Sequence, residues 1–292
     1  MCWSFRRRSP KLTVIMGVLT LAVGCSTAAP MARVETRTSA SPSTAAVSQP
    51  PVPGASGPGP QPAAASTVLT HGRRDRRLVA LTFDSNMTTF MERELDLHRV
   101  ASFDDTAAIE QLIRLRVPST FFLSGLWMER YPAETTRLAS VPFFELGSHA
   151  YSHRAFTRRC FGLGALPPDQ MAPDIERSEQ LLHRLDPHAT SLFRFPGGCF
   201  DRSGLAAAAA SHVQVVQYDV ASGDAFGRSV QAIVDHTLSS VRNGSIVVMH
   251  ITGGNTAPLT PYALPAIVQG LRSRGFTLVT VSRLIADSPR QG

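Results

Sequence analysis

The chain has 292 residues, 43% of them hydrophobic and 17% charged, which is enough for one sizeable domain with a full core. Its formal charge of +7 comes from the first 77 residues: Arg6, Arg7, Arg8 and Lys11, then Arg33, Arg37, Arg73, Arg74, Arg76 and Arg77 against Glu35 and Asp75. From Leu78 onward acids outnumber bases, 20 to 19, so nothing in the folded region calls for a nucleic-acid partner. Lys11 is the only lysine, which removes Schiff-base and P-loop lysine chemistry from the rest of the chain. No Gly-x-Ser-x-Gly or His-Glu-x-x-His segment is present either.

Residues 1–25 read as an export signal, with a basic start followed by an apolar run from Leu12 to Val23. That run is shorter than the about 20 residues a membrane-spanning helix needs. It closes Leu21-Ala22-Val23-Gly24-Cys25, which resembles a lipoprotein signal with Cys25 as the acylated residue. Simple secretion, with cleavage near Ser26–Ala29, is the alternative. The expected address is therefore the cell envelope, with a lipid anchor at Cys25 as the membrane contact. Residues 26–77 read as a linker. Thr27 to Ser66 is rich in Ala, Pro, Ser, Thr and Gly, a composition expected to stay disordered and to let a tethered domain reach a nearby polymer. Cys160 and Cys199 lie outside the export segment and make an even pair in an oxidising compartment, where a disulfide is expected.

The domain expected over 78–292 alternates short β-branched or aromatic runs with helical patterns. Strands are expected at Leu78–Phe83, Ser119–Leu123, Phe143–Leu146, Ser191–Phe195, Val213–Tyr218, Ser245–Met249 and Phe276–Val281. Helices are expected at about 104–116, 133–140, 169–185, 203–211, 228–242 and 261–274, with Pro261 near a start and Gly244 and Gly275 past two ends. Such alternation implies parallel βα units. Seven strands fit an irregular α/β barrel, and an open doubly wound sheet shares the same pattern. Asp84 follows the first strand, His149 the third; Arg194 is near the end of the fourth, Asp219 ends the fifth and His250 the sixth. Carboxyl-terminal strand ends build the active site in βα barrels.

His149 and His153 are four residues apart, so a helical turn would let them share a divalent ion. Asp84 ends an apolar strand and could act as a general base or merely cap the next loop. Arg194, between Phe193 and Phe195 and before Pro196-Gly197-Gly198, could orient the Asp84 carboxylate or make a structural ion pair. His250 could serve as a general acid if Asp219 or Asp224 held it protonated.

In this order, the Gly147–His153 segment, Arg194-Phe195-Pro196-Gly197-Gly198 and Ile246-Val247-Val248-Met249-His250 resemble the polysaccharide deacetylase (NodB-homology, carbohydrate esterase 4) family, over about Leu78 to Ala286. The resemblance implies an irregular (β/α)7 barrel and metal-dependent hydrolysis of N-acetyl groups, or of O-acetyl groups, on an acetylated envelope glycan such as peptidoglycan. It implies one divalent ion, zinc by preference, on His149 and His153. It also implies Asp84 as base, Arg194 as its tether and His250 as acid, supported by a carboxylate of the Asp219–Asp224 segment. Pro196, Gly197 and Phe226 are the expected substrate contacts. Two departures stand out. The family's second aspartate is replaced by Ser85, leaving Asn86, or the loop of Asp104 and Asp105, to complete the ion's shell. The family's fourth-motif tryptophan is missing, with Phe226 the nearest aromatic. The competing function is a non-catalytic glycan-binding protein that kept the barrel and lost the full ion site.

Overall fold

Strand β1 (Leu78–Ser85) is the centre of the sheet, and its sequence explains why: seven of its eight residues are buried, so it reads as a continuous apolar run. The computed structural model describes residues 67–286; the export segment, Cys25 and the spacer to residue 66 lie outside the described residues. After β1 come α1 (Thr89–Asp96), α2 (Thr106–Arg114), β2 (Ser119–Leu123), α3 (Gly125–Arg130), α4 (Pro132–Ala139), β3 (Phe144–Ser148) and α5 (Pro168–Leu185). The chain continues through β4 (Leu192–Phe193), α6 (Arg202–Ala210), β5 (Gln214–Val215), β6 (Val220–Ala221), α7 (Val230–Ser240), β7 (Ile246–His250), α8 (Thr260–Ser273), β8 (Thr277–Leu278) and α9 (Val281–Ala286).

The sheet order is β5-β4-β3-β2-β1-β7-β6, all parallel, with β8 joining β1 at Leu78 and Val79. Among the described residues no ladder joins β5 to β6, so the expected barrel is an irregular half-barrel with a seam there. The segment before β1 lies at that seam: Leu69 bridges to Val216 and His71 to Ser245. Residues 67–77 therefore belong to the folded unit, and the linker expected as far as residue 77 ends before it.

The period-2 alternation of β1 sorts its side chains. Val79, Leu81 and Phe83 pack outward in a cluster that includes Ile109 and Leu112 of α2, Trp127 of α3 and Leu264 and Ile267 of α8. Ala80 joins a separate cluster with Phe122, Val216 and Ile246, and Thr82 and Asp84 both meet the buried Arg194. Helix starts follow local chemistry: Thr88, Asp105, Asp201 and Ser229 cap α1, α2, α6 and α7 with side-chain oxygens, while α4, α5 and α8 carry proline in the first turn.

Candidate active site

Asp84 reaches the carboxyl end of β1 almost fully buried. Its Oδ1 accepts a hydrogen bond of 2.7 Å from Arg194 Nη1, which also donates to Thr82 Oγ1 at 2.8 Å. The rest of the guanidinium is used as well, donating to the carbonyls of Val216 at 3.2 Å and Gln217 at 3.3 Å. Its Cζ lies 4.1 Å from the Phe122 ring centroid and 5.6 Å from that of Tyr218. The aromatic contacts thus come from β2 and the segment after β5. The sequence neighbours Phe193 and Phe195 point into a different cluster, with Phe156 and Ile175. A fully buried arginine with every side-chain nitrogen engaged cannot swing away, so it fixes one carboxylate oxygen and leaves the other for chemistry.

That other oxygen, Asp84 Oδ2, is 3.6 Å from His149 Nε2. His149 Nδ1 is 2.8 Å from the Arg194 carbonyl, an atom that only accepts, so the hydrogen sits on Nδ1 and the Nε2 lone pair is free. Burial pushes the His149 pKa down, which keeps the ring neutral. His153 is held well below the usual imidazole range by burial first, then by the neighbouring His149 and His250. The two rings are 5.0 Å apart, centroid to centroid, but not through the helical turn expected from their spacing. The segment is a loop in which Ala150 and His153 take positive φ values of 61° and 51°.

Across the cleft, His250 ends β7 as the register partner of Asp84. Its Nδ1 is 2.9 Å from Asp224 Oδ1 and its backbone N–H donates to Asp224 Oδ2 at 2.7 Å. Burial alone would lower the His250 pKa, yet the Asp224 carboxylate overrides it and holds the imidazole above its ordinary value. Burial would likewise raise Asp224, but His250 and the Thr260 hydroxyl, at 2.7 Å, keep it ionised below its usual range. Asp224 is the partner of His250.

Asp219 is not. Its Oδ2 accepts from Arg74 and from Ser245 Oγ, at 2.8 and 3.0 Å, and its Oδ1 from the backbone N–H of Ile246 at 2.9 Å. Ile246 opens β7 and His250 closes it, four residues or about 13 Å along the strand. The reason is an unexpected strand: β5 stops at Val215 and β6 begins at Val220, so Asp219 precedes a strand instead of ending one.

Asp84, Asn86, His149, His153, Asp224 and His250 line one cleft of about 330 Å³. Gly197 and Phe226 line it too. Pro196 does not; it is buried at the start of the 3-10 turn Pro196–Gly198. Cys160 and Cys199 are disulfide-bonded, tying that turn to the loop after β3. Asp105 caps α2 through the Ala108 N–H, and Asp104 Oδ2 accepts from the Thr106 hydroxyl while its Oδ1 is buried without a partner; neither residue lines the cleft. Phe122, Tyr218, Thr260, Phe161 and Leu163 are site residues that motif reasoning missed; only Phe161, an aromatic wedged between Cys160 and Gly162, carries a local signal.

Among the described residues no three His, Cys, Asp or Glu side chains form a metal-binding cluster. The donors nevertheless fit a divalent ion. Both nitrogens of the buried His153, Asn86 Oδ1 and Ser85 Oγ lack any hydrogen-bond partner, and buried polar atoms of that kind call for one. Two imidazoles with an amide oxygen are ligand types that divalent transition ions accept. With Ser85 at the acidic position, that set carries no charge.

The chain matches the family model for polysaccharide deacetylases over residues 71–216. It is 28% identical over 180 residues to a peptidoglycan-N-acetylglucosamine deacetylase of Bacillus cereus, an alignment covering 62% of each chain, so it spans under two thirds of that relative's length. A solved peptidoglycan N-acetylglucosamine deacetylase, in complex with a naphthalenyl N-hydroxybenzamide, superposes with a TM-score of 0.64 at 25% identity, over 76% of this chain and 94% of that one. A carbohydrate esterase family 4 pseudoenzyme from Bacillus anthracis shares the fold, with a TM-score of 0.62 at 18% identity over 76% of this chain and 69% of that one. Half-barrel, strand-end residues and family match agree, and the chain belongs to the polysaccharide deacetylase family.

Proposed function

We propose that the chain is a metal-assisted hydrolase that removes N-acetyl groups from the amino sugars of an envelope glycan such as peptidoglycan. One observation carries this reading: a carboxylate anchored by arginine and an imidazole hydrogen-bonded to a buried aspartate sit on adjacent strands of one cleft. Such a pair matches base and acid to the two proton transfers of amide hydrolysis. The name of the Bacillus cereus relative supports the choice of substrate.

A divalent ion held by His149, His153 and the Asn86 amide oxygen would supply Lewis-acid polarisation of the acetyl carbonyl. Asp84, with Oδ1 fixed by Arg194, takes a proton from the attacking water at Oδ2. His250, kept cationic by Asp224, gives its Nε2 proton to the departing sugar nitrogen. The products are acetate and a free amine. Export and a lipid anchor at Cys25 belong to the same proposal, supported by the basic and apolar pattern of residues 1–25.

The test is acetate release from an N-acetylglucosamine pentamer, with an O-acetylated glycan as the ester comparison. The expected outcome is release from the pentamer that falls at least about 100-fold in Asp84→Asn. Ser85, neutral where the family has an acid, favours a second reading, in which the protein binds glycan without cleaving it. That reading gains if pentamer binds while no acetate appears and Asp84→Asn behaves as wild type.

A further inference from the structure

Two phenylalanines at the mouth of the cleft are exposed in a way the reaction itself does not require. Phe161 and Phe226 are 77% and 78% exposed, the highest values among the exposed large hydrophobic residues. They come from different loops, yet their ring centroids are 6.1 Å apart and both rings line the cleft that holds Asp84 and His250. Exposed apolar side chains that meet at the mouth of a ligand-sized cleft, unlike ones scattered singly, mark a binding groove.

The backbone under Phe161 strengthens the point. The Leu163 N–H donates to the Cys160 carbonyl at 2.7 Å, closing a tight turn whose central residues, Phe161 and Gly162, have φ values of 45° and 76°. Two positive φ angles suit glycine, asparagine or aspartate, and a bulky aromatic there is strained. The turn is held on both sides. Cys160 is bonded to Cys199, and a Cβ on Gly197 would come within 2.6 Å of Cys160 Sγ and 3.3 Å of the Phe161 ring. Disulfide and bare glycine together press a strained, solvent-facing ring against the cleft.

We propose that Phe161 and Phe226 form a two-ring platform that stacks on the pyranose ring flanking the acetylated sugar, making an oligosaccharide the preferred ligand over a single sugar. This rests on the glycan reading of the cleft. A sugar does not fit between the rings: a sandwich needs two carbon contacts of about 3.5–4.0 Å each, about 7–8 Å in all, against the 6.1 Å observed. The sugar therefore lies across them, its C–H face on the rings and its hydroxyls in water. Equatorially substituted pyranoses such as β-linked glucosamine units present such a face.

The experiment compares an N-acetylglucosamine pentamer with the dimer, using kcat/KM for acetate release and, on the slow His250→Gln background, calorimetric Kd. Phe161→Gly removes ring and strain together, so its thermal midpoint is expected to equal or exceed that of wild type while the pentamer-over-dimer preference falls about three- to tenfold. Phe226→Ala is expected to lose a similar factor, and Phe161→Tyr to keep the preference. Unchanged preference in both Phe161→Gly and Phe226→Ala, in rate and in Kd, would overturn the platform. Absence of acetate from either substrate with wild type would sink the hydrolase reading alone, because the Kd comparison still decides the platform.

Discussion

At the residue scale two charge-assisted pairs frame the site, the buried Arg194–Asp84 and the half-buried His250–Asp224. The second sets a pH dependence whose sign follows directly. His250 donates a proton only while cationic, and that form disappears as pH rises through its pKa. Asp224 raises that pKa against the effect of burial. The alkaline limb of kcat is therefore expected above the ordinary imidazole value of about 6.5. In Asp224→Asn the largest influence opposing burial is gone and only Asp84 still raises the His250 pKa, so the limb should move to lower pH and neutral-pH activity should drop about tenfold or more. A pH profile of both proteins checks this, and an unmoved limb would remove His250 from the acid role.

Ser85 carries the second residue-scale prediction. The donor set of two imidazoles and one amide is neutral, and affinity for a dication grows with ligand charge. Ser85→Asp is expected to bind zinc about tenfold more tightly or better in a chelator competition, whereas His149→Ala or His153→Ala should abolish binding. Equal affinity in Ser85→Asp would mean that position 85 does not face the ion. Both histidines, Arg194 and His250 were legible because each chemistry keeps a residue type at a fixed offset from a strand. Phe122 and Tyr218 were not, because the rings on Arg194 come from other strands, and no local pattern records a contact between strands.

At the element scale, one short strand moved a residue from one rim of the sheet to the other. Val213–Tyr218 reads as one strand, but its ladder with β4 stops at Val215, and Val220–Ala221 starts afresh against Val247 and Val248. Two-residue strands give too few alternations for a period to show. Asp219 thereby becomes a brace for Arg74, Ser245 and the first N–H of β7. Asp219→Ala is expected to cost about 1–3 kcal/mol of stability, as buried donors lose their acceptor. Its kcat for acetate release should stay within about twofold of wild type. Urea denaturation and a rate measurement separate the two, and a kcat loss of 100-fold with normal stability would return Asp219 to the site. The helices α1, α3 and α9 were missed for a related reason. They have eight, six and six residues, too short for a helical period to declare itself.

At the scale of the whole molecule, the parallel βα rhythm was readable because β1, β2 and β7 are buried along almost their whole length and are rich in β-branched and aromatic residues. The half-barrel's seam was not. It depends on Leu69 and His71, which sit in a basic, turn-rich stretch and gain their place only through long-range bridges to Val216 and Ser245. The domain brings Asp84, His149, Gly197 and His250, at or just past the ends of β1, β3, β4 and β7, to one cleft. We expect this cleft to hydrolyse acetamides with the help of one divalent ion. Acetate release from the N-acetylglucosamine pentamer, followed while chelator-stripped protein is titrated with zinc, tests it most directly. Near-zero release is expected without the ion, with a rise that saturates at about one equivalent. Full activity in the stripped protein, or none at any zinc level, would contradict it.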